Sequence, residues 1–220
     1  MKLLAFDLST PRGTIALVNE EGILSATDWP NDRRTSAPFF AALKEIIRKH
    51  GAPATIVVGL GPGSYTGTRI AISAAIGLQA TTGAALAGIS SLCAISDEEE
   101  FYVIGDAKRA SFFFAKISGG LLANDPDLLS ENEMNDRLSS ITTIPIYTSD
   151  ELPQFTAVEM RFPSAKLLCL RAQTFPQNLA RAPLAPIYLR EPHITTPRTA
   201  QNDGKTLPLL GCDRSQRIAS

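Results

Sequence analysis

The chain has 220 residues and 23.6 kDa, with 21 Lys and Arg against 22 Asp and Glu, a formal net charge of −1 and a pI near 6.1. This length accommodates one domain or two small lobes that share a core, and it excludes a large multidomain protein. Hydrophobic residues make up 44% and charged residues 20%, which is typical of a globular protein and excludes a highly charged, unfolded one. The near-neutral charge provides no large positive field for binding nucleic-acid phosphates.

We expect a cytoplasmic protein without a leader or a membrane span. The short apolar run at the N-terminus is followed by no small-residue cleavage site, and no stretch reaches the roughly 18 apolar residues that a span requires. Cys93, Cys169 and Cys212 are odd in number and never form a C-x-x-C pair, so reduced thiols are expected. With His50 and His193 as the only imidazoles, the sequence predicts no structural zinc site.

The first third of the chain predicts alternating strands and helices, as in an α/β protein. Near-continuous apolar runs and the turn residues between them predict three antiparallel strands at Lys2–Leu8, Thr14–Val18 and Ile23–Asp28. A helix from Phe39 to Lys49 follows, with Ser36 as its N-cap, because apolar residues recur on one face and charged residues on the other.

A strand, a glycine-rich turn, a second helix and another strand come next. The strand Ile56–Leu60 is rich in β-branched residues and uncharged. The helix predicted from about Thr66 to Thr81 is apolar on every side, with Arg69 as its only charge, and the strand Ala84–Ile89 follows it. A helix of this kind must be covered on more than one side, so we expect the sheet on one side and another protein on the other.

An acidic break at Asp97–Glu100 separates a predicted N-terminal lobe, residues 1–98, from a smaller C-terminal lobe, residues 99–190. The second lobe is predicted to contain three strands and a helix, at Phe101–Gly105, Phe112–Ile117, Ile144–Tyr147 and Ser164–Ala172. Segment 191–220 is polar and lacks periodicity, which predicts a tail or a partner-dependent segment.

The segment Gly61–Arg69 reads GPGSYTGTR, and its spacing excludes three familiar motifs. No lysine lies between Lys49 and Lys108, which excludes a Walker phosphate loop. The third glycine, Gly67, comes one residue late for a dinucleotide fingerprint, and Tyr65 stands where a nucleophile elbow requires serine. A helix N-terminus with several hydroxyls remains, and it either binds an anion or forms a plain capped turn.

The turn after the first strand is a second polar cluster. A carboxylate at the end of this strand can orient a metal-bound water in a phosphate-cradling hairpin, or it can simply cap its own turn. Together the two turns predict an anion or nucleotide site, composed of Asp7, Ser9, Thr10, Gly13, Gly61, Gly63, Ser64, Thr66 and Gly67.

Five motifs together resemble the TsaB (YeaZ) family of bacterial proteins. They are Phe6–Thr10, Gly61–Ile70, Gly88–Leu92, Asp106–Arg109 and Pro186–Arg190. The resemblance spans about residues 2 to 190, and the glycine motif is its most specific part. It implies the α/β fold of the actin, sugar-kinase and chaperone-ATPase superfamily, with two related lobes of which the second is reduced.

The resemblance also implies an accessory subunit rather than an enzyme. Members of the family dimerise with the catalytic TsaD subunit and, with the ATPase TsaE, support threonylcarbamoylation of adenosine-37 in tRNAs that read ANN codons. Catalytic relatives of this fold hold a metal with an H-x-x-x-H pair at the place where this chain has Ser90–Ala94. The resemblance therefore implies no metal and no tightly bound cofactor, and it implies contact with tRNA only through the complex. Whether ATP or ADP binds at the subunit junction stays open.

We expect the two helices of the N-terminal lobe to form the partner surface, because their small residues allow ridge-into-groove packing. In isolation the same surface would favour a homodimer. The predicted contact residues are Phe40, Leu43, Ile47, Arg69, Ala71, Ala74, Ala75 and Leu78. The alternative function is a free-standing ATP-dependent phosphotransferase or nucleotidase that uses the two polar turns. A peptidase is not expected, since the sequence shows neither a metal-binding pattern nor a nucleophile beside a base.

Overall fold

A computed structural model of the chain describes residues 1–31 and 36–190. Its strands are β1 (Leu3–Asp7), β2 (Arg12–Asn19), β3 (Gly22–Pro30), β4 (Thr55–Gly59), β5 (Ala85–Ile89), β6 (Glu100–Asp106), β7 (Phe112–Ser118), β8 (Leu121–Leu122), β9 (Asp127–Leu129), β10 (Ile146–Thr148), β11 (Glu159–Met160) and β12 (Ala180–Arg181). Its helices are α1 (Ala37–His50), α2 (Tyr65–Thr82), α3 (Glu131–Ser139) and α4 (Ala165–Thr174), with short 3-10 helices at Ser91–Ala94 and Pro176–Asn178.

The strands form two mixed sheets. The first has the order β12-β5-β4-β1-β2-β3, in which β5, β4 and β1 are parallel and β2 and β3 are antiparallel. The second has the order β11-β10-β6-β7-β8, and β9 pairs with residues 112–114 at the start of β7, whereas β8 pairs with its end. The carboxyl ends of β1, β4 and β5 therefore meet at one edge of the first sheet, where polar loops can converge.

The elements predicted for the first third of the chain are confirmed, with shifted boundaries. The hairpin of β2 and β3 is longer than predicted, because the register pairs Arg12 with Pro30. Ser36 stands at the N-cap position of α1, but its side chain makes no capping hydrogen bond. The left-handed Gly83 ends α2 with its N–H bonded to the carbonyl of Gln79.

Several elements of the second half were not predicted, namely α3 and the short strands β8, β9, β11 and β12. Helix α3 does have a sequence signal, since Ser130 and Glu133 form a reciprocal capping box at its start. The predicted assignment of residues 99–190 to one lobe is wrong at its end, because β12 pairs with β5 of the first sheet. Helix α4 likewise packs on strands of the first sheet. Segment 191–220 lies outside the described residues.

The core has three parts that are separated by the sheets. Helices α1 and α2 cover one face of the first sheet, where the ring of Phe39 lies 5.1 Å from that of Phe6. Helix α4 and the Ser91–Ala94 turn pack between the two sheets and bury the inner faces of both. Helix α3 covers the outer face of the second sheet through Met134. The central part holds the two sheets together, since it draws residues from each.

Two cysteines lie in this central part of the core. Both Cys93 and Cys169 are buried free thiols. Burial raises the pKa of Cys93 to about 11 and that of Cys169 to about 12, so neither is a thiolate near neutral pH. Cys212 and His193 lie outside the described residues. No helix in residues 1–31 and 36–190 is long and apolar enough to span a bilayer.

We expect Leu168→Ala to destabilise the protein strongly, because Leu168 is fully buried where α4 joins the two sheets. The free energy of unfolding should fall by about 2–5 kcal/mol through lost apolar burial and a residual cavity. Leu170 is 43% exposed on the same helix. Leu170→Ala is therefore the matched control, with a change of about 0.5 kcal/mol or less. Chemical denaturation measures both, and equal losses would show that α4 does not bury Leu168 as described.

Candidate functional site

A cleft of about 460 Å³ opens between the two sheets, at the edge where β1, β4 and β5 end. Five residues of the predicted anion site line it, namely Ser9, Thr10, Gly63, Ser64 and Thr66. The second sheet contributes polar residues to the other wall, namely Asp106, Lys108, Ser149 and Asp150. The structure therefore brings the two predicted polar turns together and adds charged groups that the sequence reasoning did not include.

Asp7 lies beneath the cleft and is completely buried. Its Oδ1 accepts a hydrogen bond from the backbone N–H of Ser9 at 2.6 Å, and its Oδ2 accepts one from the hydroxyl of Ser91. Burial raises the pKa of Asp7 above its ordinary value, and the hydrogen bonds from Ser9 and Ser91 oppose that rise. Of the two sequence interpretations, the carboxylate that caps its own turn is thus the one observed.

Sequence reasoning missed two residues that hold Asp7 in place. Ser91 bridges the site, because its hydroxyl donates to Asp7 and accepts from the N–H of Gly61 at 2.8 Å. Gly59, the last residue of β4, lies directly against the carboxylate, and a Cβ at this position would overlap Asp7 Oδ2. A glycine at the end of a buried strand is the signal that could have indicated this close approach.

The glycine-rich turn forms a capped helix start. The Ser64 side chain accepts a hydrogen bond from Gly67 N–H at 3.1 Å, and the Ser64 N–H donates to the carbonyl of Ser9 at 2.6 Å. A Cβ at Gly63 would overlap the Ser9 carbonyl, and one at Gly67 would overlap that of Leu8. The predicted capped turn is therefore present, and it is pressed directly onto the first hairpin.

One buried polar atom at this junction is incompletely satisfied. The hydroxyl of Ser9 makes no hydrogen bond of normal geometry within the described residues, although it lies close enough to the Asp7 carboxylate to help lower the pKa of that group. Ser9 lines the cleft beside Thr66, which is exposed in the first turn of α2. A buried hydroxyl that is incompletely satisfied is costly, so it marks a place where a ligand atom or a water would bind.

Gly13 and Gly61, two other predicted site residues, do not line the cleft. Gly13 lies within β2, where a Cβ would come within 2.5 Å of the Trp29 ring. The absence of a side chain makes room for that indole, and the structure does not place Gly13 at the cleft. Gly61 has φ of +85° and is tied through its N–H to Ser91. It shapes the floor of the site rather than facing a ligand.

The opposite wall of the cleft carries charges of both signs. Lys108 forms an ion pair with Asp106, whose N–H donates to the Asp150 carboxylate at 2.9 Å. Burial opposes ionisation of Asp106, but the hydrogen bonds and charge of Lys108 prevail and lower its pKa. Lys108, Arg109 and Ala110 have φ of 65°, 58° and 55°, so the turn that presents this lysine has a left-handed backbone.

Among the described ranges 1–31 and 36–190, no group of three or more His, Cys, Asp or Glu side chains could hold a metal ion. The cleft floor consists of hydroxyls and backbone groups, and the Asp7 carboxylate is enclosed beneath it. Ser90 and Ser91 stand where the sequence resemblance implies that catalytic relatives carry a metal-binding histidine pair. The Ser90 hydroxyl donates to the Gly61 carbonyl, and the Gly61 N–H donates to the Ser91 hydroxyl.

The predicted partner residues divide into exposed and buried ones. Ala71 and Ala75 are fully buried between α2 and the first sheet, so their assignment to a contact surface is wrong. Ile76 was not predicted, yet it is 49% exposed on α2. We define the α1–α2 outer surface as the exposed Phe40, Arg69 and Ile76 with the half-buried Leu43, Ile47, Ala74 and Leu78.

Comparison with known proteins supports the fold. No protein-family model matches the chain. Uncharacterized proteins of Mycobacterium tuberculosis and Mycobacterium bovis are 25% identical over 199 residues, covering 86% of this chain and 92% of theirs. YeaZ from Pseudomonas aeruginosa has a TM-score of 0.68 and 21% identity, covering 86% of this chain and 99% of that one. Another Pseudomonas aeruginosa structure, described as similar to peptidase YeaZ, has a TM-score of 0.67 and 21% identity, and it also covers 86% of this chain and 99% of that one.

The chain therefore has the fold of YeaZ. This confirms, at the level of the fold, the resemblance noted in the sequence motifs. It also confirms the predicted α/β class, with two mixed sheets and helices packed on them.

We expect Gly59→Ala to lower the free energy of unfolding by about 1–3 kcal/mol, because the new methyl group would displace the buried Asp7 from its hydrogen bonds. Gly77→Ala is the matched control, since a Cβ at this position in α2 meets nothing within 4 Å. The control should be neutral or up to about 1 kcal/mol stabilising, as alanine favours a helix. Urea denaturation compares the two variants, and equal effects would contradict the close packing of Asp7 on Gly59.

Proposed function

We propose that this chain is a TsaB-type accessory subunit. Its role is to bind a TsaD-type catalytic subunit of the same superfamily, with a TsaE-type ATPase, in threonylcarbamoylation of adenosine-37 of tRNAs that read ANN codons. It is not itself catalytic, and it reaches tRNA only through the complex. The fold it shares with YeaZ and the motifs in its sequence support this assignment.

The single observation that carries the proposal is the apolar α1–α2 outer surface. Phe40 is 46% exposed and Ile76 49% exposed, on two helices that cover the same face of the first sheet. Large exposed apolar side chains on adjacent elements are typical of a protein-binding surface. The small exposed residues of α2, Ser73 and Gly77, allow another helix to approach closely.

The state of Asp7 supports a non-catalytic role. A carboxylate that orients a metal-bound water needs at least one oxygen directed to the ligand. Here one oxygen accepts from Ser9 and the other from Ser91, and the group is fully buried. The carboxylate therefore stabilises the floor of the cleft and is withdrawn from a ligand in it.

A second candidate, nucleotide binding with phosphotransfer, is favoured by one observation, the incompletely satisfied Ser9 hydroxyl in the cleft. The start of α2 lies beside it and supplies a favourable dipole for an anion. Under the first proposal this cleft is a structural remnant in the isolated chain, and a nucleotide would be held only at the junction with the partner.

We expect Ile76→Glu to weaken binding of the catalytic subunit at least about tenfold, because it places a charge in an apolar interface. Met160 is 47% exposed on the second sheet, so Met160→Glu is the matched control and should bind as the wild type does. The tagged chains are purified from their own host, and mass spectrometry identifies the proteins that accompany them. Recovery of an H-x-x-x-H-containing paralogue with the wild type is the expected result; its absence would contradict the proposal.

We expect calorimetric titration of the isolated chain with ATP and Mg²⁺ to give little heat, and phosphate assays to show no hydrolysis. The physical reason is that Asp7 is already bound by Ser9 and Ser91. Asp7→Asn, which preserves the shape of the side chain, serves as the control. Tight binding with turnover that Asp7→Asn abolishes would establish the phosphotransferase instead.

A further inference from the structure

Arg69 is the only charged residue of α2, and two aromatic side chains hold it at the protein surface. The guanidinium lies over the ring of Tyr65, with Cζ 3.7 Å from the ring centroid. Its Nε–H donates to the hydroxyl of Tyr188 at 3.1 Å. The two tyrosines are 48% and 40% exposed, so the whole group stands at the mouth of the cleft in contact with solvent.

The guanidinium has no countercharge within the described part of the chain. None of the ion pairs found there includes Arg69, and its contact with Tyr188 uses only the Nε–H. The two terminal nitrogens therefore lack a protein acceptor among residues 1–31 and 36–190. An arginine fork of this kind matches the geometry of a carboxylate.

We infer that Arg69 pairs with a carboxylate of the protein that binds the α1–α2 outer surface, and that this protein is not a second copy of the chain. The inference rests on the proposed function, and it adds the chemistry that the catalytic subunit must present. The pair would join the rim of the apolar contact made by Ile76.

The distribution of acidic residues argues against a second copy as the source of that carboxylate. No Asp or Glu occurs between Glu45 and Asp97, a stretch that includes all of α2. Glu45, on α1, is already paired with Arg48 at 2.7 Å. Two α2 helices facing each other would bring together arginines without a carboxylate, whereas a partner with an acidic helix would be complementary.

The fixed position of Arg69 makes it an effective anchor. Arginine loses considerable side-chain freedom when it is immobilised at an interface. Here Tyr65 and Tyr188 restrict the side chain before any partner arrives. Pairing then requires little additional ordering, and tyrosine and arginine together form the kind of cluster in which interface energy concentrates.

The test measures binding of the host's own TsaD-type subunit to variants of this chain, with self-association followed by sedimentation. Arg69→Glu should weaken the heterodimer at least about 30-fold and leave the homodimer unchanged. Arg69→Lys, which keeps the charge but loses the fork, should show a smaller loss. Rising ionic strength should weaken the wild-type heterodimer more than that of Arg69→Gln. Thermal unfolding verifies that each variant folds.

Other outcomes separate this inference from the proposed function. If Ile76→Glu abolishes partner binding and Arg69→Glu does not, the carboxylate pairing is wrong and the proposed function stands. If Arg69→Glu weakens homodimer and heterodimer equally, or if Tyr188→Phe alone reproduces its full effect, Arg69 has only a structural role. If the wild type does not bind the TsaD-type subunit, both proposals fail. Restoration of Arg69→Glu binding by a carboxylate-to-arginine change in the partner would identify the paired residue.

Discussion

The site is organised around the buried carboxylate of Asp7. A charged group without solvent is costly unless both of its oxygens are bonded, and here Ser9 N–H and Ser91 hydroxyl satisfy one oxygen each. Ser91 follows β5, Gly59 ends β4, and Asp7 ends β1, so this single group connects the ends of three adjacent strands. Gly59 permits this arrangement, since a Cβ at its position would overlap the Asp7 carboxylate.

The orientation of α2 depends on the same turn after β1, at the floor of the cleft. The Ser9 carbonyl receives the Ser64 N–H, and Gly67 packs on the Leu8 carbonyl, so the helix starts in direct contact with the first hairpin. This contact determines which residues α2 exposes. Tyr65 and Arg69 face the mouth of the cleft, and Ile76 faces outward two turns later. The groups that enclose Asp7 and the surface that would bind a partner are therefore linked by one helix.

The sequence predicts most of the first lobe because its elements have strong local signals. The apolar runs of β1 and β4 and the capped start of α2 depend on neighbouring residues, so periodicity and turn chemistry identify them. The short strands β9, β11 and β12 have two or three residues each and exist only through long-range pairing. Gly13 illustrates the same limit of prediction from local sequence, since only the structure shows that Trp29 packs against it. The enclosure of Asp7 by Ser91, 84 residues away, has no local signal at all.

The near-neutral total charge of the chain does not show how unevenly its acidic residues are distributed along the sequence. A total of 21 basic and 22 acidic residues conceals a long stretch from residue 46 to 96 without any carboxylate. That stretch contains α2 and its exposed Arg69, whereas the acidic residues resume at Asp97, where the chain leaves the first sheet. Neutrality of the whole chain limits attraction to nucleic acid, and the local absence of carboxylates limits pairing between identical surfaces. The exposed Arg69 therefore lies in a part of the sequence that supplies no carboxylate to pair with it.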